Sequence, residues 1–334
     1  MTVPSAFRAF RIHSDAAGYR SGIETVSLDD LNPGEVVVKA AWSSVNYKDA
    51  LAGTGKGKIL RSFPLVGGID IAGHVVASTE PAFREGDAVL VTGSGLSETR
   101  DGGYSEYARL DARWVIPLPA GLSLREAMIL GTAGFTAALG LLRMTENRQT
   151  PALGPLAVTG ATGGVGSLAV AIYSKAGYQV HAISGKPEHA DYLKSLGASE
   201  VLGRDALATT KPMDSARFGG GLDNVGGPML AALLAQTAPY GNVASCGLAA
   251  SHELHATVMP FIIRGVSLLG VASAGTARDI RDEVWRRLAG DWKPDNLEAI
   301  CTREASLEEL PDVFSGMLAG GALGRTVVRL QATV

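Results

Sequence analysis

The sequence predicts an α/β protein built from a β-rich N-terminal domain and a doubly wound parallel sheet of six strands. Three observations carry this. Short apolar runs separated by turn residues fill the first third of the chain, strand and helix patterns alternate from Leu156 onward, and a glycine turn at 160–166 joins the first of those strands to a long helix. A chain of 334 residues suffices for one large or two ordinary domains. The expected division is 1–124 with 296–334 for the first domain and 125–295 for the second.

In the first part, Gly34–Ala40, Gly73–Ser78 and Gly86–Val91 read as strands punctuated by turn residues, and Tyr104–Leu110 alternates as a half-buried strand does. The style changes near Leu124: Arg125–Met144 is a helical stretch broken around Gly131–Gly134. Then follow strand 156–159, helix 164–176, strand 179–183, helix 188–196, strand 200–202, the run Gly221–Val225, helix 227–236, and strands 242–246 and 266–271. Such alternation produces parallel strands with crossover helices. Asp279–Leu288 reads as an amphipathic helix, and Leu323–Leu330 as a strand outside the alternation that returns to the first domain.

Composition narrows the function. Apolar residues are 46% and charged residues 19%, so a large core is expected and disorder is not. Net charge is −3 with no basic run, which argues against a nucleic-acid partner. No run of 18 uncharged apolar residues and no apolar leader stands in the chain, so neither a membrane span nor a signal peptide is expected. Two cysteines, Cys246 and Cys301, make no disulfide framework, and a cytoplasmic location is expected. Cys246 ends a predicted strand and reads as a small core residue; Cys301 has no partner pattern. The 42 glycines exceed the ~7% of an ordinary protein and fall in turns between apolar runs, as in a loop-rich enzyme.

The glycine turn carries the chemistry. Leu156-Ala157-Val158 enters it, Gly160, Thr162, Gly163, Gly164, Val165 and Gly166 form it, and an apolar helix leaves it. Backbone N–H groups in such a turn approach a pyrophosphate, and the helix N-terminus adds partial positive charge. The spacing is Gly160-x-x-Gly163-x-x-Gly166 rather than G-x-G-x-x-G. After the second strand, where an NAD site places an acid about 20 residues past the glycines, this chain has Ser184-Gly185-Lys186. A hydroxyl and an ammonium suit a 2′-phosphate, with Arg204 as a second cation, so the expected cofactor is NADPH.

A β-rich domain before such a sheet, with a returning tail, resembles the medium-chain dehydrogenases, some of which hold zinc through Cys and His. The matching positions here are Asn46 and Ile69-Asp70, and the six histidines are scattered apart from His252-x-x-His255. No zinc site is expected, which points away from alcohol oxidation and toward reduction of a polarised double bond. Asn46-Tyr47-Lys48-Asp49-Ala50-Leu51, the segment Gly53–Pro64 with its Lys56-Gly57-Lys58, Gly68-Ile69-Asp70-Ile71-Ala72-Gly73, Gly131–Ala137, Tyr192–Ala198, Met259–Val266 and Gly324-Arg325-Thr326 closely resemble the zinc-free, quinone oxidoreductase-like branch that contains the acrylyl-CoA reductases. The resemblance covers nearly the whole chain.

That resemblance implies a GroES-like catalytic domain beside a Rossmann domain, a homodimer, and NADPH-dependent reduction of acryloyl-CoA to propanoyl-CoA. It also implies that Tyr47, the turn at Thr162–Val165, Ser184-Gly185-Lys186 and Arg204 contact NADP, with Asn224-Val225 near the nicotinamide half. One departure stands out: relatives tend to have Ile-Asp-Thr-Val-Gly-Asp where this chain has Leu222-Asp223-Asn224-Val225-Gly226-Gly227. Tyr47 is the candidate donor to the developing enolate oxygen, or a packing partner of the nicotinamide. Asn46 orients either group, and Asp49 pairs with Lys48, orders a water or makes a structural hydrogen bond. Lys56, Lys58 and Arg61 meet CoA phosphates or are solvated loop charges. A quinone or general enone reductase, and a non-catalytic NADPH-binding protein, are the competing readings.

Overall fold

The computed structural model describes residues 3–331. They form two compact units: one takes the chain as far as Thr132, Ala274–Glu283, and the stretch from Cys301 onward; the other takes Ala133–Ser273 and Val284–Ile300.

The first unit is built around the strand Val36–Val45, whose buried residues alternate along its first half. It pairs antiparallel with Asp70–Ser78, with Tyr107–Leu110 and with the tail strand Arg325–Arg329, so the tail returns as its sequence pattern expects. Cys301–Ala305 adds to the tail strand in parallel, and Ala88–Thr92 and Ile116–Pro117 complete the seven-stranded sheet. A separate three-stranded sheet joins Gly18–Val26, Phe7–Asp15 and Leu65–Val66. The sequence reading missed the hairpin Phe7–Val26. Its signal is there in hindsight, because Phe7, Ala9, Phe10 and Ile12 are buried between the more exposed Arg8, Arg11 and His13, but charged residues break up the apolar run. The helix Leu310–Leu318 was missed as well; its Phe314 ring packs edge-on against Phe10, 5.8 Å between centroids, and beside Tyr104 in the core.

The helix Tyr47–Thr54 starts and stops on sequence-coded signals. Asn46 and Asp49 form a reciprocal capping box at its N-terminus, and Gly55 ends it in the left-handed conformation at φ 69°. Its Gly53 lies against the Phe314 ring, where a β-carbon would collide.

The second unit is the expected six-stranded parallel sheet. Its order is Glu200–Leu202, Val180–Ile183, Leu156–Thr159, Phe218–Asp223, Thr237–Ser245 and Ser267–Gly270. Leu156–Thr159 is buried at every position, as a central strand covered on both faces must be. The helix Gly164–Lys175 follows it and buries everything from Gly166 to Tyr173. The expected helix 188–196 is a 3₁₀ turn, Pro187–His189, leading into Ala190–Ser195, because Pro187 starts the tighter turn.

Helix Leu124–Glu146 is the one described helix long and apolar enough to cross a membrane; no single uninterrupted apolar run revealed it, and it is buried. Its expected break falls at Gly131, with φ 50° and ψ −157°. A β-carbon there would sit 2.6 Å from an Asp70 carboxylate oxygen, 2.8 Å from the Ser44 hydroxyl and 2.9 Å from the Arg325 guanidinium. Gly131→Ala combines left-handed strain with this crowding and is expected to cost about 3 kcal/mol of stability. Urea unfolding measures it, and a loss below about 0.5 kcal/mol, the size of an indifferent surface change, would contradict the assigned conformation.

Candidate active site

Each unit carries one cluster of functional side chains. In the first, Asn46 and Tyr47 sit where the strand Val36–Val45 passes into the helix Tyr47–Thr54. Tyr47 is 55% exposed, and no hydrogen bond occupies its hydroxyl among the described residues. A large aromatic left open at a helix start is available to a ligand. Asn46 is the opposite. Its side-chain N–H groups donate to Asp70 at 2.8 Å and to Asp49 at 3.2 Å, and its carbonyl accepts from Arg325 at 3.1 Å.

Beneath Asn46 lies a buried ionic network that the sequence reading did not assemble. Asp70, fully buried, accepts from the Ser44 hydroxyl at 2.6 Å and from the backbone and hydroxyl of Thr132, the latter at 2.5 Å. Arg325, only 2% exposed, donates to the carbonyls of Ile129 and Val45 at 2.9 and 3.0 Å and to the Ser44 hydroxyl at 2.7 Å. Its guanidinium stands 3.9 Å from Asp70. Tyr104 donates to the Ser44 carbonyl at 3.0 Å, and burial pushes its phenol well above the usual range. Asp70 and Arg325 belong to quoted motifs, yet nothing in their spacing announces that they meet.

Asp49 is buried and accepts from the main-chain N–H groups of Asn46 at 2.9 Å and Ile69 at 3.0 Å. Burial, reinforced by the Asp70 charge, raises its carboxyl to about 7. Of the roles open to Asp49, the structure shows the structural hydrogen bond: Asp49 points inward to the capping box and makes no pair with Lys48. Lys48 pairs instead with Glu98 at 2.5 Å, and Arg61 joins the same carboxylate at 3.1 Å. Lys56 and Lys58 are exposed on the loop after Gly55. Glu98 has no sequence signal of its own; only the fold brings it to these cations.

The second unit carries the glycine cradle. Gly160 is at φ 60°, and a β-carbon on Gly166 would collide with the Gly160 carbonyl and the Ala161 backbone. Gly163 caps the following helix with no side-chain hydrogen bond, so the first-turn N–H groups around Gly164 and Val165 remain for an anion. Thr162 is buried in the same turn. At the end of the neighbouring strand, the Ser184 hydroxyl accepts from the Lys186 N–H at 3.0 Å. The Arg204 guanidinium lies over Gly185, where a β-carbon would stand 2.7 Å from Cζ. No carboxylate pairs with Arg204 among the described residues. Ser184, Lys186 and Arg204 therefore gather around one glycine, and the donor set fits a dinucleotide with a 2′-phosphate.

On the other side of the cradle, Asp223 accepts from the Thr159 hydroxyl at 2.8 Å and from the Gly226 N–H at 2.7 Å. The Asn224 amide donates to the Thr159 carbonyl at 2.7 Å, and Val225 follows on the same loop. Cys246 is not the plain core residue expected. Its thiol donates to the Asn224 side-chain carbonyl at 3.1 Å and is raised by burial to about 12. Cys301 accepts a contact from Arg125 at 3.5 Å.

Zinc does not fit. Among the described residues no three His, Cys, Asp or Glu side chains gather to hold a metal ion. The two buried carboxylates already accept from protein donors, and Arg325 is the cation beside them. His255 pairs with exposed Glu253 rather than with His252.

Comparison with known proteins follows this geometry. Residues 32–120 match the alcohol dehydrogenase GroES-like domain and residues 164–290 the zinc-binding dehydrogenase domain. The chain is 44% identical over 315 residues to the acrylyl-CoA reductase AcuI of Ruegeria pomeroyi, covering 94% of this chain and 95% of that one. Among solved structures it is similar to the yhdH oxidoreductase of Salmonella enterica in complex with NADP, with TM-score 0.94, 44% identity, and 97% and 100% of the two chains covered. The protein yhfP of Bacillus subtilis with NAD bound gives TM-score 0.94 and 46% identity over 98% of this chain and 100% of that one.

The raised Asp49 carboxyl has a definite pH signature. A folded-state value of about 7 against an ordinary 3.8 means that protonated Asp49 favours the fold fully below pH 3.8. This contribution is lost as pH rises to about 7. The stability of Asp49→Asn relative to the parent should therefore rise between pH 5 and pH 8, whatever its offset from lost hydrogen bonds. Melting curves at the two pH values test this, and a difference that is flat or falls with pH would exclude the assignment.

Proposed function

This chain belongs to the acrylyl-CoA reductase family of the medium-chain dehydrogenases and reductases, and from that premise we propose that it reduces acryloyl-CoA to propanoyl-CoA with NADPH and without zinc. The observation that carries the reading is the near-full-length similarity to an acrylyl-CoA reductase. The cofactor end is supported by the NADP complex of the Salmonella relative and by the Ser184, Lys186 and Arg204 cluster around Gly185.

Bound NADPH supplies the hydride. The protein's task is to hold the enoyl thioester and stabilise the charge that grows on its oxygen as the β-carbon is reduced. The Tyr47 phenol, exposed and unoccupied at the helix start, is the donor assigned to that oxygen. Asn46 keeps the turn in place through its three side-chain hydrogen bonds. Asp49, capped and buried, has a structural role, and the α-carbon proton comes from water or a side chain open to it. Gly160, Thr162, Gly163, Gly164, Val165 and Gly166 cradle the pyrophosphate, and Asn224-Val225 lines the nicotinamide half. Lys186 and Arg204 hold the 2′-phosphate. Lys56 and Lys58 meet the CoA phosphates; Arg61 shares Glu98 with Lys48, so its contribution is smaller. A cytoplasmic location goes with the two free thiols.

We further read the chain as a homodimer. The strand Ser267–Gly270 is an open sheet edge, and Leu268, Val258, Ile262 and Ile263 of the same unit are exposed, Ile262 to 74%. Ile262→Glu with Leu268→Glu should halve the mass found by sedimentation at micromolar concentration; an unchanged mass would remove this surface from the interface.

Loss of NADPH absorbance with acryloyl-CoA, crotonyl-CoA and a quinone tests the activity. Turnover is expected with acryloyl-CoA, whereas turnover confined to the quinone would replace the substrate, and none with any acceptor would leave a binding protein. Tyr47→Phe should lower kcat by roughly 10²-fold, the scale of one lost oxyanion donor, with NADPH affinity retained. Lys186→Asp should weaken NADPH far more than NADH, and equal losses would refute the 2′-phosphate assignment.

A further inference from the structure

Arg325, a buried cation of the first unit, has no part in the proposed chemistry, yet three of the four residues it donates to lie in the turn that presents Tyr47. Arg325 donates to the Val45 carbonyl, the Asn46 side-chain carbonyl and the Ser44 hydroxyl, three consecutive residues leading directly into the helix. Its Nε–H reaches the Ile129 carbonyl, just before the break at Gly131. The Ser44 hydroxyl passes the contact on to Asp70, which holds the Asn46 amide from its other end. The Asn46 amide is therefore fixed in one orientation: its carbonyl faces a guanidinium, and its N–H groups face two carboxylates. Reversal would set like against like.

A buried ion pair is a weak device for stability, because apolar residues of the same volume serve a core as well. A guanidinium supplies fixed geometry instead, with five N–H groups in a rigid plane. Lysine has the charge without the plane and cannot serve Val45, Asn46, Ser44 and Ile129 together. The room for the fork is made on purpose by Gly131, where any side chain would enter the space between Asp70 and Arg325.

We infer that Arg325 is a positioning residue of the reduction, locking Asn46 and so the start of the helix that carries Tyr47. The inference rests on reading Asn46–Asp49 as the substrate end of the site. Arg325 touches no substrate; its effect is on the geometry of the turn.

The test compares Arg325→Lys and Arg325→Met in the full-length enzyme, with the acceptor that the wild type turns over fastest. A misplacement of about 1 Å caused by a change remote from the chemistry can cost roughly 10²-fold, and a fall of up to about that size is expected in kcat of Arg325→Lys. NADPH affinity by fluorescence titration should stay within about twofold, since uniform binding is untouched, and Arg325→Met should fall further than Lys. Hydrogen exchange of the peptide spanning residues 45–54 should quicken in both. A lowered melting temperature with kcat of the folded enzyme unchanged would overturn the inference and leave Arg325 a purely structural residue. If Arg325→Met does not fold, Ser44→Ala takes its place, with a smaller fall in kcat expected and an unchanged kcat counting against the inference. Tyr47→Phe separates the two readings. Unchanged turnover there removes the phenol as donor, while the Arg325→Lys result still decides whether the turn is held from below.

Discussion

Two carboxylates and one guanidinium, all buried, have to be satisfied in the same small volume of the first unit. The low-dielectric interior makes an unpaired charge there cost several kcal/mol, so the surrounding chain is arranged to supply partners. Arg325 draws in Val45, Asn46 and Ser44 from one strand, Ile129 from the broken helix, and Asp70 from the neighbouring strand. The tail strand, the kink at Gly131 and the N-terminus of Tyr47–Thr54 all meet at this cluster. Burial, with the Asp70 charge adding to it, raises the Asp49 carboxyl to about 7.

The second unit solves a different problem with backbone. The cradle proposed for the pyrophosphate is made of glycines that let the turn close on Gly160 and of an uncapped helix N-terminus. Charge enters only at the edge, where Arg204 lies over Gly185 and Lys186 is tied by its N–H to Ser184. The Asp223–Thr159–Asn224 hydrogen bonds and the Cys246 thiol then hold the loop after Asp223. Asn224 finds a partner in Cys246, which explains why that cysteine is hydrogen-bonded instead of merely packed.

Much of this was legible beforehand. The strand–turn–helix at Leu156–Lys175 and the missing acid at Ser184 are local features, and local features survive into the fold because each is set by spacing along the chain. The hairpin Phe7–Val26 escaped because its exposed face is charged and its apolar face is too short to stand out. The true partner of Lys48 escaped for a related reason. Adjacent residues on a helix point in different directions, so Lys48 and Asp49 diverge, and the true partner lies 50 residues on.

By itself the sequence determined the fold class and the family, since these rest on periodicity and contiguous motifs. Tertiary structure alone decided which charges meet. Arg325 lies 279 residues from Asn46, and Glu98 reaches both Lys48 and Arg61 from a separate loop. No linear pattern encodes such pairs, because what brings them together is the need to satisfy buried charge once distant strands have packed.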